Sequence, residues 1–324
     1  MQETITPTKE TLFEKEIRQG LTDFPKHLSS KYFYDEKGDA LFQAIMNMPE
    51  YYLTDCEFDI LTQYRSEIGT LFSSDDKPFK LIELGAGDGK KTKILLKYFS
   101  EEKYRFKYQP IDISQSVLNG LKKSLSEELP QVNMVPKQGT YFEALKEIND
   151  ENGTRKVILF LGSNIGNLLH DQAIESLKSV EELMHEDDLF FLGCDLKKNP
   201  QTILDAYNDK AGITAKFNKN ILARINSELD ANFDLDTFRH WEVYDPETGT
   251  AKSYLISETA QTVRIEKLNL EISFSPWETI HTEISQKYDD ATVKWLAEQS
   301  GFEIYEQYAD KNNYYKNFVL RTAR

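Results

Sequence analysis

The sequence predicts an α/β fold: a largely parallel sheet covered by helices on both faces, finished by an antiparallel hairpin and interrupted late by an inserted α+β lobe. Three observations carry this. Strand-like runs at 79–84, 106–112, 132–137, 156–161 and 188–195 are each followed by a helical segment, and alternation with such connections implies right-handed crossovers between parallel strands. The first run ends in Gly85, Gly87 and Gly89 at alternate positions, with a helical pattern (Thr92, Ile94, Leu95, Leu96, Tyr98, Phe99) directly after. Beyond about Asn199 the pattern changes to two helical stretches and then antiparallel-like alternation.

Taken in order, Thr8 to Phe24 reads as an amphipathic helix through Leu12, Phe13, Ile17 and Leu21, ended by Pro25. A second unit starts at Tyr32-Phe33-Tyr34-Asp35, passes Gly38, continues through Leu41, Phe42, Ile45 and Met46, and stops at Pro49-Glu50-Tyr51-Tyr52. Tyr32, Phe33 and Tyr52 read as core, whereas Tyr34 and Tyr51 are candidates for a pocket. A helix over Asp55 to Tyr64 precedes the strand–helix alternation. Ligands on a parallel sheet lie at the carboxyl ends of its strands, and Gly85, Asp112, Thr140, Gly162 and Asp195 fall at or just after those ends.

Past Asn199, helices are expected at Thr202 to Asp209 and Ile213 to Leu229, then strands at Phe233 to Val243, Lys252 to Arg264 and Leu268 to Phe274. A helix at Thr292 to Gln299 and a hairpin of Phe302 to Tyr308 with Tyr315 to Leu320, turning at Asp310 to Asn313, close the chain. The expected division is 54–198 with 286–324 for the sheet domain, and 1–53 with 199–285 for a substrate-binding domain.

The 324 residues suffice for a substantial core. With 39 basic and 54 acidic residues the net charge is −15, which argues against a nucleic-acid or anionic-membrane partner and favours a small-molecule substrate. Only Cys56 and Cys194 occur, without a CxxC pair, secretory segment or membrane-length apolar run. The expectation is a cytoplasmic monomer without disulfides. Asn152-Gly153-Thr154 matches a glycosylation sequon but reads more simply as a turn.

The glycine spacing narrows the ligand. A dinucleotide fingerprint needs glycine at 90, which is Lys90, and a phosphate loop needs Ser or Thr directly after Gly-Lys, where Lys91 stands. The pattern Glu83-x-Gly85-x-Gly87-x-Gly89 instead resembles that of S-adenosylmethionine-dependent methyltransferases, whose class I (Rossmann-like) sheets end in an antiparallel pair. A carboxylate closing the second strand should then hold ribose hydroxyls, since it accepts two hydrogen bonds at once. Asp112 is placed for that role.

Four further strings occur in order: Tyr32-Phe33-Tyr34-Asp35 with Pro49-Glu50-Tyr51-Tyr52; Phe160-Leu161-Gly162-Ser163-Asn164-Ile165-Gly166-Asn167; Asp205-Ala206-Tyr207 through Gly212-Ile213-Thr214-Ala215-Lys216-Phe217-Asn218; and Thr282-Glu283-Ile284-Ser285-Gln286-Lys287-Tyr288. Together they resemble the histidine-specific Nα-methyltransferases, which make hercynine, the first intermediate of ergothioneine biosynthesis. The resemblance runs from about Phe13 to the C-terminus. It implies that Tyr51, Asn167 and Tyr207 clamp the substrate carboxylate, that Tyr34 lies near the reacting amine and the cofactor, and that Glu283 and Ser285 hold the imidazole. Tyr34 and Asn167 are the expected catalytic residues. Gly162, Thr214, Phe217 and Ser253 join the implied substrate site. Tyr34, Phe42, Gly85, Gly87, Lys91, Asp112, Thr140 and Tyr141 are implied around S-adenosylmethionine, whose product is S-adenosylhomocysteine.

The implied reaction is in-line transfer to a neutral α-amine, up to three times, with aromatic faces (Tyr34, Phe42, Phe217) favouring the growing cation. Water and a side chain remain alternatives for the proton acceptor. Two positions depart from the family pattern: Gly139-Thr140-Tyr141 has a hydroxyl where a carboxylate is usual near adenine, and Ser253 replaces a methionine beside the imidazole. Taken alone, Glu283 reads as a surface carboxylate before a helix. A nucleophile elbow at Ser163 would need glycine at 161, which is Leu161. His27, His170, His185, His240 and His281 lack metal-ligand spacing, so no metal is expected. The alternatives are a sibling methyltransferase acting on tryptophan or a modified ring, and an inactive cofactor-binding module.

Overall fold

The computed structural model describes residues 10–73, 77–148 and 154–323. Thr8 and Lys9 of the predicted first helix, and Asn152 and Gly153 of the sequon, lie outside the described residues. Two compact units make up the chain: Tyr52–Lys198 with Gln286–Arg324, and Met1–Tyr51 with Asn199–Ser285. In chain order the strands are β1 (Phe79–Leu84), β2 (Phe106–Asp112), β3 (Lys137–Gln138), β4 (Arg155–Phe160), β5 (Leu189–Asp195), β6 (Phe238–Asp245), β7 (Thr250–Ser257), β8 (Gln261–Ile265), β9 (Leu270–Phe274), β10 (Thr279–Gln286), β11 (Phe302–Ala309) and β12 (Tyr315–Thr322).

The first unit is a seven-stranded sheet in the order β11-β12-β5-β4-β1-β2-β3. Its five inner-order strands β1 to β5 run parallel, and β12 pairs antiparallel with both β5 and β11. Successive side chains of a strand point to opposite faces, and the core divides accordingly. Phe79 and Leu81 pack with Val157, Leu159 and Phe191 under helices that include Ile60, Phe72, Leu95 and Leu121. Ile82 and Leu84 pack with Ile158, Phe160 and Phe190 on the other face, under Leu177 and Leu296. Both faces are therefore dry, which explains why apolar residues predominate in β1, β4 and β5. The strand order reverses between β1 and β4, so the crevice outside their carboxyl ends is the place for a ligand.

Three of the predicted strands differ from expectation. The run at 132–137 is a strand only at Lys137–Gln138. Upstream, Asn133 and Val135 exchange backbone hydrogen bonds with Tyr108, and Pro136, which has no N–H, breaks the ladder. Lys252 to Arg264 is two strands rather than one: β7 belongs to a three-stranded sheet and β8 to a hairpin with β9. Ser257 ends the first by donating its hydroxyl to the Thr259 carbonyl, 2.8 Å away. Phe233 to Thr237 is not extended, because Asp234 caps a short turn over Leu235–Thr237 and the strand begins at Phe238.

The second unit is organised on the helix Ile213–Leu229. Its Phe217, Ile221, Leu222, Ile225 and Leu229 share a core with Phe238, Leu255 and Ile280 of the sheet β10-β7-β6 and with Val263, Ile265, Ile272 and Phe274 of the hairpin. Full burial of a side chain such as Ile225 or Leu255 contributes on the order of 2 kcal/mol. The N-terminal helix Leu12–Thr22, opened by a Thr11–Glu14 capping box, adds Ile17 and Leu21 to that core. Asn220 fixes the next segment, its amide donating to the Phe33 carbonyl (3.1 Å) and to Asp35 Oδ1 (2.8 Å). Asp35 also caps the helix Glu36–Met46 by accepting from the Gly38 N–H at 2.7 Å.

Candidate active site

In the sheet unit, β1 delivers the glycine loop to the carboxyl edge. Gly85 has φ +73° and Gly87 φ +54°, conformations that a side chain would strain. A Cβ at Gly85 would sit 2.6 Å from the Tyr141 hydroxyl, whereas one at Gly87 would meet nothing within 4 Å. Tyr141 thus closes over the first glycine, and open space lies beside the second. Asp112, at the end of β2, turns back towards this loop: Oδ2 accepts from the Gly87 N–H at 3.3 Å and Oδ1 from the Ser114 N–H at 2.9 Å. Burial, and then the Asp112 charge, push the Tyr141 phenol up to about 12, so it stays a neutral donor. Bare peptide groups, a carboxylate and a neutral aromatic hydroxyl are the donor and acceptor set that an adenosyl amino acid needs, and the residues present fit it.

Glu83, buried on the same strand, supports the loop from below by accepting from the hydroxyls of Thr92 and Tyr108. Lys91 pairs with Glu57, Nζ to Oε2 at 2.6 Å. Thr140 caps the helix Tyr141–Lys146 and donates its hydroxyl to Glu143 Oε2 at 2.6 Å, so that hydroxyl is turned towards its own helix. Gly162, with φ +74°, follows β4. Asn167 closes the short turn Asn164–Asn167 and is exposed.

Asp195 differs in character from the other strand-end residues. It is fully buried and accepts from Lys287 at 2.8 Å, from Lys198 and from the Tyr52 hydroxyl at 3.0 Å. Burial alone would raise its pKa, but the two ammonium groups outweigh that and hold it below the usual carboxylate range. It ties β5 to the following chain rather than lying open to a ligand.

In the second unit, the aromatic residues singled out from sequence form one contiguous string. Tyr34 lies 5.6 Å from Phe42 and 5.5 Å from Phe217, Phe42 lies 6.4 Å from Tyr51, and Tyr51 lies 6.3 Å from Tyr207, centroid to centroid. Tyr207 then meets Ser285, hydroxyl to hydroxyl, at 2.7 Å. Phe42 and Tyr34 therefore keep company with the residues assigned to the substrate. Thr214 is the second residue of the helix Ile213–Leu229, and its backbone N–H is held by Asp209 Oδ1 at 2.7 Å. Glu283 and Ser285 both lie on β10, in keeping with the strand that their i, i+2 spacing suits, although the bounds of that strand were not read from the sequence. Ser253 is buried and donates to Glu242 Oε2 at 2.6 Å, so its hydroxyl already has a partner.

Three residues were assigned no role in the site from sequence, although Asn218 stood in a family string and His240 was weighed only as a metal ligand. Asn218 and His240 sit behind Tyr207: the Asn218 amide donates to His240 Nδ1 at 2.7 Å, and His240 Nε2 donates to the Tyr207 carbonyl at 3.0 Å. The carbonyl can only accept, so Nε2 carries the proton and the ring is neutral. Burial lowers the His240 pKa accordingly. Glu57 is the third. The available signal was placement, since Glu57 and Asn218 stand on the apolar stripes of their helices, beside Leu53, Ile60 and Leu61 and beside Ile221, Leu222 and Ile225, where an unpartnered polar group would be penalised.

A doubly covered sheet in this order, a glycine loop after its first strand and a carboxylate closing the second define a class I S-adenosylmethionine-dependent methyltransferase. Within that class, the family model for histidine-specific, S-adenosylmethionine-dependent methyltransferases matches residues 13–322, and the chain belongs to that family. It is 36% identical over 279 residues to the histidine N-alpha-methyltransferase of Mycolicibacterium smegmatis, covering 86% of this chain and 85% of the relative. The enzyme of the same name from Mycobacterium tuberculosis is 35% identical over the same shares. Ergothioneine biosynthesis protein 1 of Schizosaccharomyces pombe is 31% identical over 96% of this chain and 41% of the relative. Among the described residues no cluster of three or more His, Cys, Asp or Glu is placed to hold a metal, and no helix is long and apolar enough to cross a membrane.

Proposed function

We propose that this chain transfers methyl groups from S-adenosylmethionine to the α-amine of free L-histidine, three times in succession, giving hercynine. The observation that carries this is the aromatic string from Tyr34 through Phe42, Phe217 and Tyr51 to Tyr207, ending on the Tyr207–Ser285 hydroxyl pair. It draws on one unit, which holds the residues that the family resemblance assigns to the amine and the imidazole and two of the three assigned to the carboxylate, while Asn167, the third, belongs to the sheet unit.

When bound, the donor supplies a methyl group already activated by its sulfonium, so the protein's contribution is position and protonation state. Gly85, Gly87 and Asp112 hold the donor. Tyr51 and Tyr207 offer phenol hydroxyls to the substrate carboxylate, and Asn167 is assigned a third donor. Glu283 accepts an imidazole N–H while Ser285 serves the other ring nitrogen. Each transfer forms an N–C bond as an S–C bond breaks, and each of the first two products loses a proton before the next. The faces of Tyr34, Phe42 and Phe217 favour the cationic products.

The test is incubation of the purified protein and S-adenosylmethionine with each of the twenty amino acids, read by mass spectrometry. Trimethylated histidine is expected, and a preference for tryptophan would overturn the substrate assignment. Glu283→Ala should raise the histidine KM at least about tenfold, from a lost charge-assisted hydrogen bond, with cofactor affinity unchanged. An unaltered KM would remove Glu283 from the site.

A further inference from the structure

Glu57 lies on the helix Tyr52–Gln63 with its side chain fully buried, yet its carboxylate accepts from donors in several other parts of the sheet unit. Oε2 accepts from Lys91 Nζ at 2.6 Å and from the Gly162 N–H at 2.8 Å. Oε1 accepts from the Tyr315 hydroxyl at 3.0 Å and from the Asn317 amide at 2.9 Å. The sheet is shaped to admit it: a Cβ at Gly193, on β5, would stand 2.4 Å from Oε1 and 2.3 Å from the Tyr315 hydroxyl. A buried carboxylate with four donors and a glycine reserved for it is a built feature, because an ion in this position is tolerated only when its acceptor sites are filled.

We propose that Glu57 is a positioning residue for the methyl donor, acting through Lys91. This rests on the reading of Lys91 as a cofactor contact. Lys91 is the residue just before the helix that follows the glycine loop, and its long side chain would otherwise sample many rotamers. The pair with Glu57 fixes the ammonium 2.6 Å from a carboxylate anchored to β12 and to the turn after β4. An ammonium has three N–H donors. Glu57 engages one and aims the others, so the donor's carboxylate meets an oriented partner instead of a mobile one.

A double-mutant cycle on S-adenosylmethionine Kd, measured by calorimetry on the full chain, tests this. Lys91→Met alone and Glu57→Gln alone are each expected to weaken binding about tenfold, and the double variant to be no weaker than the worse single, since both remove one interaction. Glu57→Asp, which keeps the charge but withdraws it by one methylene, provides the same comparison should the glutamine variant fail to fold, with an intermediate loss expected. If Lys91→Met leaves Kd unchanged, the reading of Lys91 fails and the proposal with it. If Lys91→Met weakens binding but the Glu57 variants do not, or if the two losses multiply, Glu57 acts only on folding and the proposal alone is overturned.

Discussion

The hydroxyls of Tyr207 and Ser285 stand 2.7 Å apart although 78 residues separate them in sequence, and both side chains are buried. One hydroxyl donates to the other. Tyr207→Phe and Ser285→Ala each remove one hydroxyl of the pair, and with it a proposed substrate hydrogen bond worth about 1–3 kcal/mol. The expected result is a histidine KM raised roughly ten- to a hundredfold in each, with non-additive effects in the double variant. Steady-state kinetics at saturating S-adenosylmethionine checks it, and strictly additive losses would separate the two hydroxyls functionally.

His240 makes the second prediction. Burial lowers its pKa below the usual histidine value, so the unfolded chain takes up the proton first as pH falls. The stability this group contributes is present above its unfolded pKa and is lost as pH falls through the folded one. His170 and His281 are also lowered by burial, so the difference between variants is the informative quantity. In His240→Gln the acid limb of Tm against pH should be shallower than in the parent. An identical limb in both would show that His240 does not titrate with unfolding.

Glu83 predicts the opposite slope. Burial pushes its carboxyl from 4.5 up to about 7, against the Thr92 and Tyr108 hydroxyls that favour the ion. The folded chain therefore holds this proton when the unfolded chain has released it. The associated stability is full below about 4.5 and is lost as pH rises through about 7, on the order of 3 kcal/mol in all. Glu83→Gln should remove that loss, narrowing its stability gap to the parent as pH rises from 5 to 8. Urea unfolding at several pH values measures this, and a gap that widens would contradict it.

The parallel strands were legible because both faces of the sheet are dry: β1, β4 and β5 are mostly apolar, and β2, although it carries Lys107 and Gln109, ends at Asp112. The helix Ile213–Leu229 was legible from its stripe. β10 was legible only at Glu283 and Ser285 through their spacing, and its extent was not, since Thr279, His281, Thr282, Glu283, Ser285 and Gln286 are polar and its burial alternates only as far as Thr282. The single run Lys252 to Arg264 hid a change of sheet, because local alternation carries no information about which neighbour a strand will pair with.

The amino-acid sequence alone determined the glycine loop, the carboxylate of Asp112 and the ordered strings that mark the family, because these depend on residue type and spacing over a few positions. Only the tertiary structure decided which of those side chains meet. Tyr34, Phe42, Phe217, Tyr51 and Tyr207 became one aromatic string, Asp195 was drawn inwards between Lys198 and Lys287, and Glu57 and His240 acquired partners from remote segments. The physical reason is burial. A polar side chain on an apolar stripe must find donors or acceptors wherever the fold places them, and that choice is made by packing across the whole unit rather than by neighbours along the chain.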